Sequence, residues 1–271
     1  MTGDRIPLSR LVGWICLLWA IANFGPYLLV YLLTGQPFYQ ALPVVIGGTV
    51  EVALLALNLG LPLWWLRRRG IPWREGLAWR WHGRRSWLWG MGGLAVVLVW
   101  CWLLARLLPL PETGAAEGQG YPLPQALLGL AGLMVLGLAA IIGEEAMFRG
   151  WMQTQLEAQG RIWLSVLLPA LLFGLRHLPL DLYEGHAGLA AWAVRLLELY
   201  GLALVLGFIR WRSGSIAPAV ILHGPLWWLV VFGVYGTVVG AGLGLVIGIA
   251  ITCIALNKLR PLSNAPDPTF Q

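Results

Sequence analysis

The sequence predicts an all-α, polytopic integral membrane protein with about eight transmembrane helices. Hydrophobic residues make up 59% of the 271 positions and charged residues only 11%. Soluble globular proteins carry about 25% charged residues, so water is not the main solvent of this chain. The mean hydropathy is +0.75, and the apolar residues fall in runs close to the roughly 20 residues that a helix needs to cross a bilayer.

Eight apolar runs account for the predicted helices. The first is too long for the apolar part of a signal peptide and lacks a small-residue cleavage site, so we interpret it as a retained span. The eight runs cover residues 11–33, 41–66, 87–108, 124–156, 162–178, 187–209, 216–235 and 238–257.

Lysine and arginine occur in alternate connections between these runs. Residues 67–86 are rich in arginine, whereas 34–40 and 109–123 contain neither lysine nor arginine. Because cytoplasmic loops carry the excess of basic residues, the alternation predicts a multi-pass protein of the cell membrane with both termini in the cytoplasm. The net charge of +6 is then explained by basic residues that set the orientation of the protein in the membrane. We expect the bilayer, not nucleic acid, as the partner of these residues.

The fourth run contains three ionisable residues, Glu144, Glu145 and Arg149, after an otherwise apolar stretch. A charged side chain at membrane depth costs about 2.5–3.5 kcal/mol on insertion scales, so each needs a partner or a function. On a helix, Glu145 and Arg149 lie one turn apart and form a natural ion pair. Glu144 points about 100° away from Glu145 and is expected to remain unpaired, which makes it a candidate general base. Polar residues that merely join helices are the simpler alternative.

Two of the four histidines occupy the spans that follow. His177 lies one turn after Phe173, and His223 follows "GSIAPAVIL". A single membrane histidine is commonly a hydrogen-bonded core residue, but two of them together with an unpaired glutamate favour a polar reaction site. Arg176, beside His177, is a weaker candidate for binding an acidic group or for orienting substrate.

These three motifs in this order resemble the CPBP family, which contains CAAX prenyl proteases and bacteriocin-processing enzymes and is also called the Abi family. The resemblance rests on EExxxR at Glu144, Glu145 and Arg149, on FxxxH at Phe173 and His177, and on His223. It spans about 140–228, whereas 1–120 matches only in being hydrophobic. We therefore describe 1–271 as one membrane domain, with a catalytic core of about 124–235 and additional N-terminal transmembrane helices in 1–120.

The resemblance implies an intramembrane, glutamate-dependent endopeptidase. In such an enzyme, Glu144 would activate a water molecule, His177 would position that water, and His223 would stabilise the oxyanion. Glu145 and Arg149 would support the site. The substrate would be a membrane-embedded or lipid-anchored peptide or protein. No cofactor or metal is required, although two histidines and a glutamate could also bind zinc, which is the less favoured alternative.

One position departs from the family pattern. Its third motif continues from the histidine to an asparagine or aspartate four residues later, where this chain has Trp227. Loss of an oxyanion donor costs about 10²–10³ in rate. Either the Trp227 N–H substitutes, another group such as Asn58 does, or the protein cleaves slowly or not at all.

Two other functions stay open at this point. A catalytically weak or inactive member could act as a membrane scaffold or regulator that holds a membrane protein partner, and Trp227 is the main reason to consider it. A proton-coupled transporter could use buried Glu and His as a relay. The transporter is less favoured because the Gly- and Val-rich runs after His223 offer no polar pathway.

Overall fold

A computed structural model describes residues 6–34, 44–107, 137–178 and 189–234, and these residues are helical or lie in turns, with no strand among them. Each of the first seven predicted spans contains a helix, and the eighth, 238–257, lies outside the described residues. In the helix that covers 137–157, a π-helical segment, Ala146–Met152, separates 137–145 from Gln153–Glu157. The helices are α1 (Leu8–Thr34), α2 (Val44–Arg68), the short α3 (Trp73–Gly76), α4 (Arg84–Leu107), α5 (137–157), α6 (Ile162–Leu175), α7 (Leu189–Ser213) and α8 (Ala217–Val234).

Among the described helices, the stretch Leu8–Leu33 alone is long and apolar enough by its own composition to cross a membrane, and Ile162–Leu175 is a shorter apolar helix. The all-α prediction is therefore confirmed, whereas the number of membrane crossings stays a prediction.

The outer surface of the bundle is apolar, as a lipid-facing surface would be. Leu32, Leu33, Leu88 and Trp163 are each at least 69% exposed. Soluble monomers rarely leave extended apolar patches uncovered. The buried core lies between α1, α2, α5, α6 and α7, and it is centred on the large side chains of the π-helical segment, Phe148, Trp151 and Met152.

Hydrogen bonds and ion pairs join the basic segments to one another at one end of the bundle. Gln159 Nε2 donates to the carbonyl of Ile6, and the Ile216 N–H donates to the carbonyl of Ala78. Arg210 forms an ion pair with Glu157 Oε2 at 3.1 Å. The segments that the charge pattern places on one side of the membrane are thus neighbours in the fold.

Candidate active site

The two glutamates lie at the point where α5 changes from α-helical to π-helical. Glu145 immediately precedes the segment Ala146–Met152, whose residues are all buried. π-Helical turns inside α-helices are rare and occur frequently at functional sites. Gly150 allows the loop after α3 to approach here, because a Cβ at this position would lie only 3.0 Å from the Leu77 carbonyl oxygen.

Glu145 is fully buried and is held by two cationic or polar partners. Arg149 Nη1 lies 3.4 Å from Glu145 Oε1, as the one-turn spacing predicts. His223 Nδ1 lies 2.8 Å from the same oxygen. Because a carboxylate oxygen accepts, the imidazole donates its Nδ1–H, and Glu145 thereby fixes the ring orientation of His223.

Glu144 occupies a different environment, at the junction of α5, α6 and α8. Its side chain is 13% exposed, and Arg176 Nη1 lies 2.7 Å from its Oε1. The expectation that Glu144 is unpaired is therefore wrong. The cation comes from the end of α6, 32 positions along the chain, where spacing rules for a single helix cannot find it.

His223 connects the two carboxylates. While its Nδ1 binds Glu145, its Nε2 lies 3.8 Å from Glu144 Oε2. That separation is too long for a hydrogen bond, and a polar gap of this size is one that a water molecule can bridge. Glu144 and His223 thus lie close enough for one water molecule beside them to contact both side chains.

His177 joins this group through Phe173. The His177 ring lies 5.1 Å from the Phe173 ring and the His223 ring lies 5.7 Å from it, measured between centroids. His177 Nδ1 lies 2.9 Å from the Phe173 carbonyl, which can only accept, so Nδ1 donates and the neutral ring keeps its acceptor on Nε2. α6 ends at Leu175, and Arg176 follows it as the C-cap residue.

The residues of the FxxxH motif are themselves held in place by neighbouring helices. Trp19 Nε1 on α1 donates to the Leu172 carbonyl at 3.0 Å, and Arg149 stacks over the Phe173 ring at 4.5 Å. Phe148 also packs edge-on against Phe173. Phe173 is therefore the central apolar contact of the site, a role that the motif spacing does not reveal.

A row of polar side chains runs from Glu145 toward the basic end, along the seam between α5 and α7. Arg149 donates to the Ala203 carbonyl, and Gln153 Nε2 donates to the Gly207 carbonyl at 2.9 Å. One turn further, Arg210 pairs with Glu157. This row satisfies backbone carbonyls of α7 and fixes the rotation of α5, which decides where Glu144 points.

The remaining sequence candidates lie at the edge of this group. Trp227 packs against a buried apolar cluster that contains Ile141 and Ile221. Its ring occupies the space that a Cβ on Gly137 would need. Gly137 lies about two helical turns before Glu144. Asn58 lies beside Gly143, but its amide nitrogen donates to the Leu54 carbonyl at 2.8 Å and lies 3.4 Å from Asn23 Oδ1, which gives no support to Asn58 as the oxyanion donor.

The structure therefore brings Glu144, Glu145, Arg149 and His223 into one connected set, with His177 one aromatic ring away. Within the described residues, no three His, Cys, Asp or Glu side chains form a cluster arranged to hold a metal ion. Arg176 and Phe173 are the additional members. In the sequence, only the position of Arg176 next to His177 suggested that this arginine belongs to the site.

A comparison with known proteins finds a family match for the part of the chain that contains these residues. Residues 126–229 match the family model described as "Type II CAAX prenyl endopeptidase Rce1-like". The match covers somewhat more than a third of the chain and includes both glutamates, both site histidines and Trp227. No curated protein and no solved structure matches the chain. The match supports a relationship of residues 126–229 to the CAAX prenyl endopeptidases.

Proposed function

We propose that the protein is an intramembrane endopeptidase of the glutamate-dependent type, embedded by about eight helices with both termini in the cytoplasm. Its substrate is a membrane-embedded or lipid-anchored peptide or protein. The family match supports a CAAX-type protease. The observation that carries the mechanism is the 3.8 Å gap between Glu144 Oε2 and His223 Nε2.

In the proposed reaction, a water molecule contacts both Glu144 and His223, and Glu144 takes one of its protons. The water oxygen attacks the carbonyl carbon of the scissile peptide bond, and the carbonyl oxygen becomes an oxyanion. His223, with Nδ1–H on Glu145 and a second proton on Nε2, donates Nε2–H to that oxyanion. The C–N bond then breaks, and the leaving amine takes the proton from Glu144.

Glu145 and Arg149 act as positioning residues in this scheme. Glu145 holds His223 in the orientation that directs Nε2 toward Glu144, in the way that a buried carboxylate orients a catalytic histidine elsewhere. Arg149 neutralises Glu145 and packs on Phe173. His177 helps to position the water from its own side of the Phe173 ring.

The test is cleavage of a membrane-tethered fluorogenic reporter by the purified full-length protein in proteoliposomes. Glu144→Ala, His177→Ala and His223→Ala should each lose about 10²–10⁴ in rate, the range of general acid–base catalysis. Glu75→Ala, an exposed glutamate on α3, is the matched control and should cleave at the wild-type rate. Chelators should have little effect. Wild-type rates in the three site variants would refute the assigned roles.

A non-cleaving scaffold that binds a regulatory membrane protein is the second candidate. Two observations favour it: Arg176 occupies one oxygen of Glu144, and Trp227 replaces the family amide. In that case the wild type should show no cleavage above the Glu144→Ala background with any tethered reporter.

A further inference from the structure

A basic cavity lies at the ends of α4 and α7, on helices that contribute none of the proposed catalytic side chains. It has a volume of about 540 Å³ and is lined by His82, Arg85, Ser86, Leu88, Trp89, Arg212 and Ser213. None of these lining residues is acidic. The cavity therefore combines two guanidinium groups and an imidazole, which are groups that bind phosphate. The Ser213 hydroxyl already donates to the Ser215 carbonyl, and the Ser86 hydroxyl accepts from the His82 N–H.

An apolar groove of about 610 Å³ lies next to this cavity, along the seam between α4 and α7. The two spaces share Leu88 and Trp89 in their linings, so they lie side by side. Beyond them the groove is lined by Gly92, Gly93, Val96, Leu204, Val205, Phe208 and Ile209. No charged side chain is among these residues.

The length of the combined site agrees with one leaflet of a bilayer. Arg85 and Val96 are 11 positions apart on α4, which is roughly 16 Å at 1.5 Å per residue. Half of a hydrocarbon core about 30 Å thick is close to the same distance. A molecule that places a phosphate on Arg85 and an alkyl chain along the groove would thus reach from the membrane surface to the midplane.

Two adjacent glycines shape the groove in opposite ways. A Cβ on Gly93 would overlap the side chains of Ile209 and Leu222, so Gly93 permits close packing of α4 on α7 and α8. A Cβ on Gly92 would meet no atom within 4 Å. Gly92 therefore leaves the floor of the groove open to the lipid side.

We infer that this cavity and groove bind one anionic glycerophospholipid of the leaflet on the basic side of the protein. Arg85 and Arg212 hold its phosphate, and one acyl chain lies along Gly92 and Val96. Basic pockets between transmembrane helices bind anionic headgroups in this way, and the indole of Trp89 suits the level at which headgroup and chain meet. The inference depends on the proposed membrane embedding and is independent of the peptidase chemistry.

The face of α7 that borders the groove lies beside the face that supports the site. Leu204 lines the groove, while the carbonyl of the preceding Ala203 accepts from Arg149. A bound lipid would therefore contact the helix that fixes the position of Arg149.

Native mass spectrometry of the full-length protein in neutral detergent tests the inference without any cleavage assay. Phosphatidylglycerol should form a one-to-one adduct, whereas phosphatidylcholine with the same chains should not. The double substitution Arg85→Gln/Arg212→Gln should lower the adduct at least tenfold. Arg84→Gln/Arg161→Gln removes the same charge from exposed positions outside the cavity and should leave the adduct unchanged.

Gly92→Leu tests the groove separately from the charges. The new side chain enters open space, so the fold should tolerate it while the acyl chain loses its place. Gly13→Leu, at an equally open position on α1, is the control. Equal adducts in wild type and Gly92→Leu, equal losses in both arginine pairs, or equal binding of the two lipids would overturn the inference. Displacement of the lipid by inorganic phosphate alone would also overturn it and would indicate a site for a free anion.

Discussion

Glu144 and Glu145 are neighbours in sequence, yet they lie in environments that suit different tasks. Glu145 is completely buried, shares one oxygen between Arg149 and His223, and belongs to the polar row between α5 and α7. Glu144 is 13% exposed, faces His223 across 3.8 Å and has a cation from another helix. One carboxylate organises the site, and the other is accessible for chemistry.

The difference follows from helix geometry and from neighbours that lie far away in sequence. Successive residues on a helix point about 100° apart, so two adjacent glutamates cannot enter the same seam. One glutamate faces α7 and the protein interior, while its neighbour faces the junction with α6 and α8. Under the proposed mechanism, a pair of identical residues would supply both a catalytic group and its support.

The largest effect on stability is expected from removing the cation of the buried pair. Arg149→Gln leaves Glu145 as a buried charge without its arginine, which should cost about 3–5 kcal/mol. Arg176→Gln, the matched change at Glu144, should cost less, because both partners there retain some contact with solvent. Thermal unfolding in detergent measures both variants. Equal losses of stability would contradict the division between the two carboxylates.

The next effect concerns the π-helical segment that begins after Glu145. Gly150→Ala places a Cβ 3.0–3.3 Å from Leu77, including its backbone, and should destabilise the protein by about 1–3 kcal/mol. Gly60→Ala, at an open position on α2, should instead be neutral or stabilising by up to about 1 kcal/mol. A Gly150→Ala variant as stable as Gly60→Ala would show that this contact does not constrain α5.

The smallest effect is expected at Trp227. Trp227→Asn restores the amide of the family motif and should raise the reporter cleavage rate per folded molecule by up to about tenfold, equivalent to about 1.4 kcal/mol of transition-state stabilisation. Trp227→Phe keeps a ring against Gly137 without adding an amide and should show no gain. If Trp227→Phe slows cleavage instead, the indole N–H already serves as the oxyanion donor.

Patterns within one helix predicted much of this arrangement. The apolar runs located the described helices except the short α3, and the one-turn spacing of Glu145 and Arg149 predicted their ion pair. The order of the motifs predicted the family. These features are local or depend only on sequence order, and so they can be recognised without the fold.

Contacts between helices could not be predicted in the same way. The partner of Glu144 is Arg176, and the partner of Glu145 across the site is His223, 78 positions away. Both contacts depend on the rotation of α6 and α8 about their helix axes. Because apolar residues lie on all faces of these helices, their sequence does not define that rotation. The π-helical segment of α5 likewise needs tertiary contacts, such as that of Gly150 with Leu77, to favour it over an α-helix.

The most direct test compares Glu144→Gln with Glu145→Gln for reporter cleavage and thermal unfolding in the same proteoliposome preparation. Glu144→Gln should abolish cleavage while the unfolding temperature stays close to that of the wild type. Glu145→Gln should lower the unfolding temperature strongly, and its folded fraction should retain part of the activity. A Glu144→Gln variant that cleaves at the wild-type rate would contradict the account.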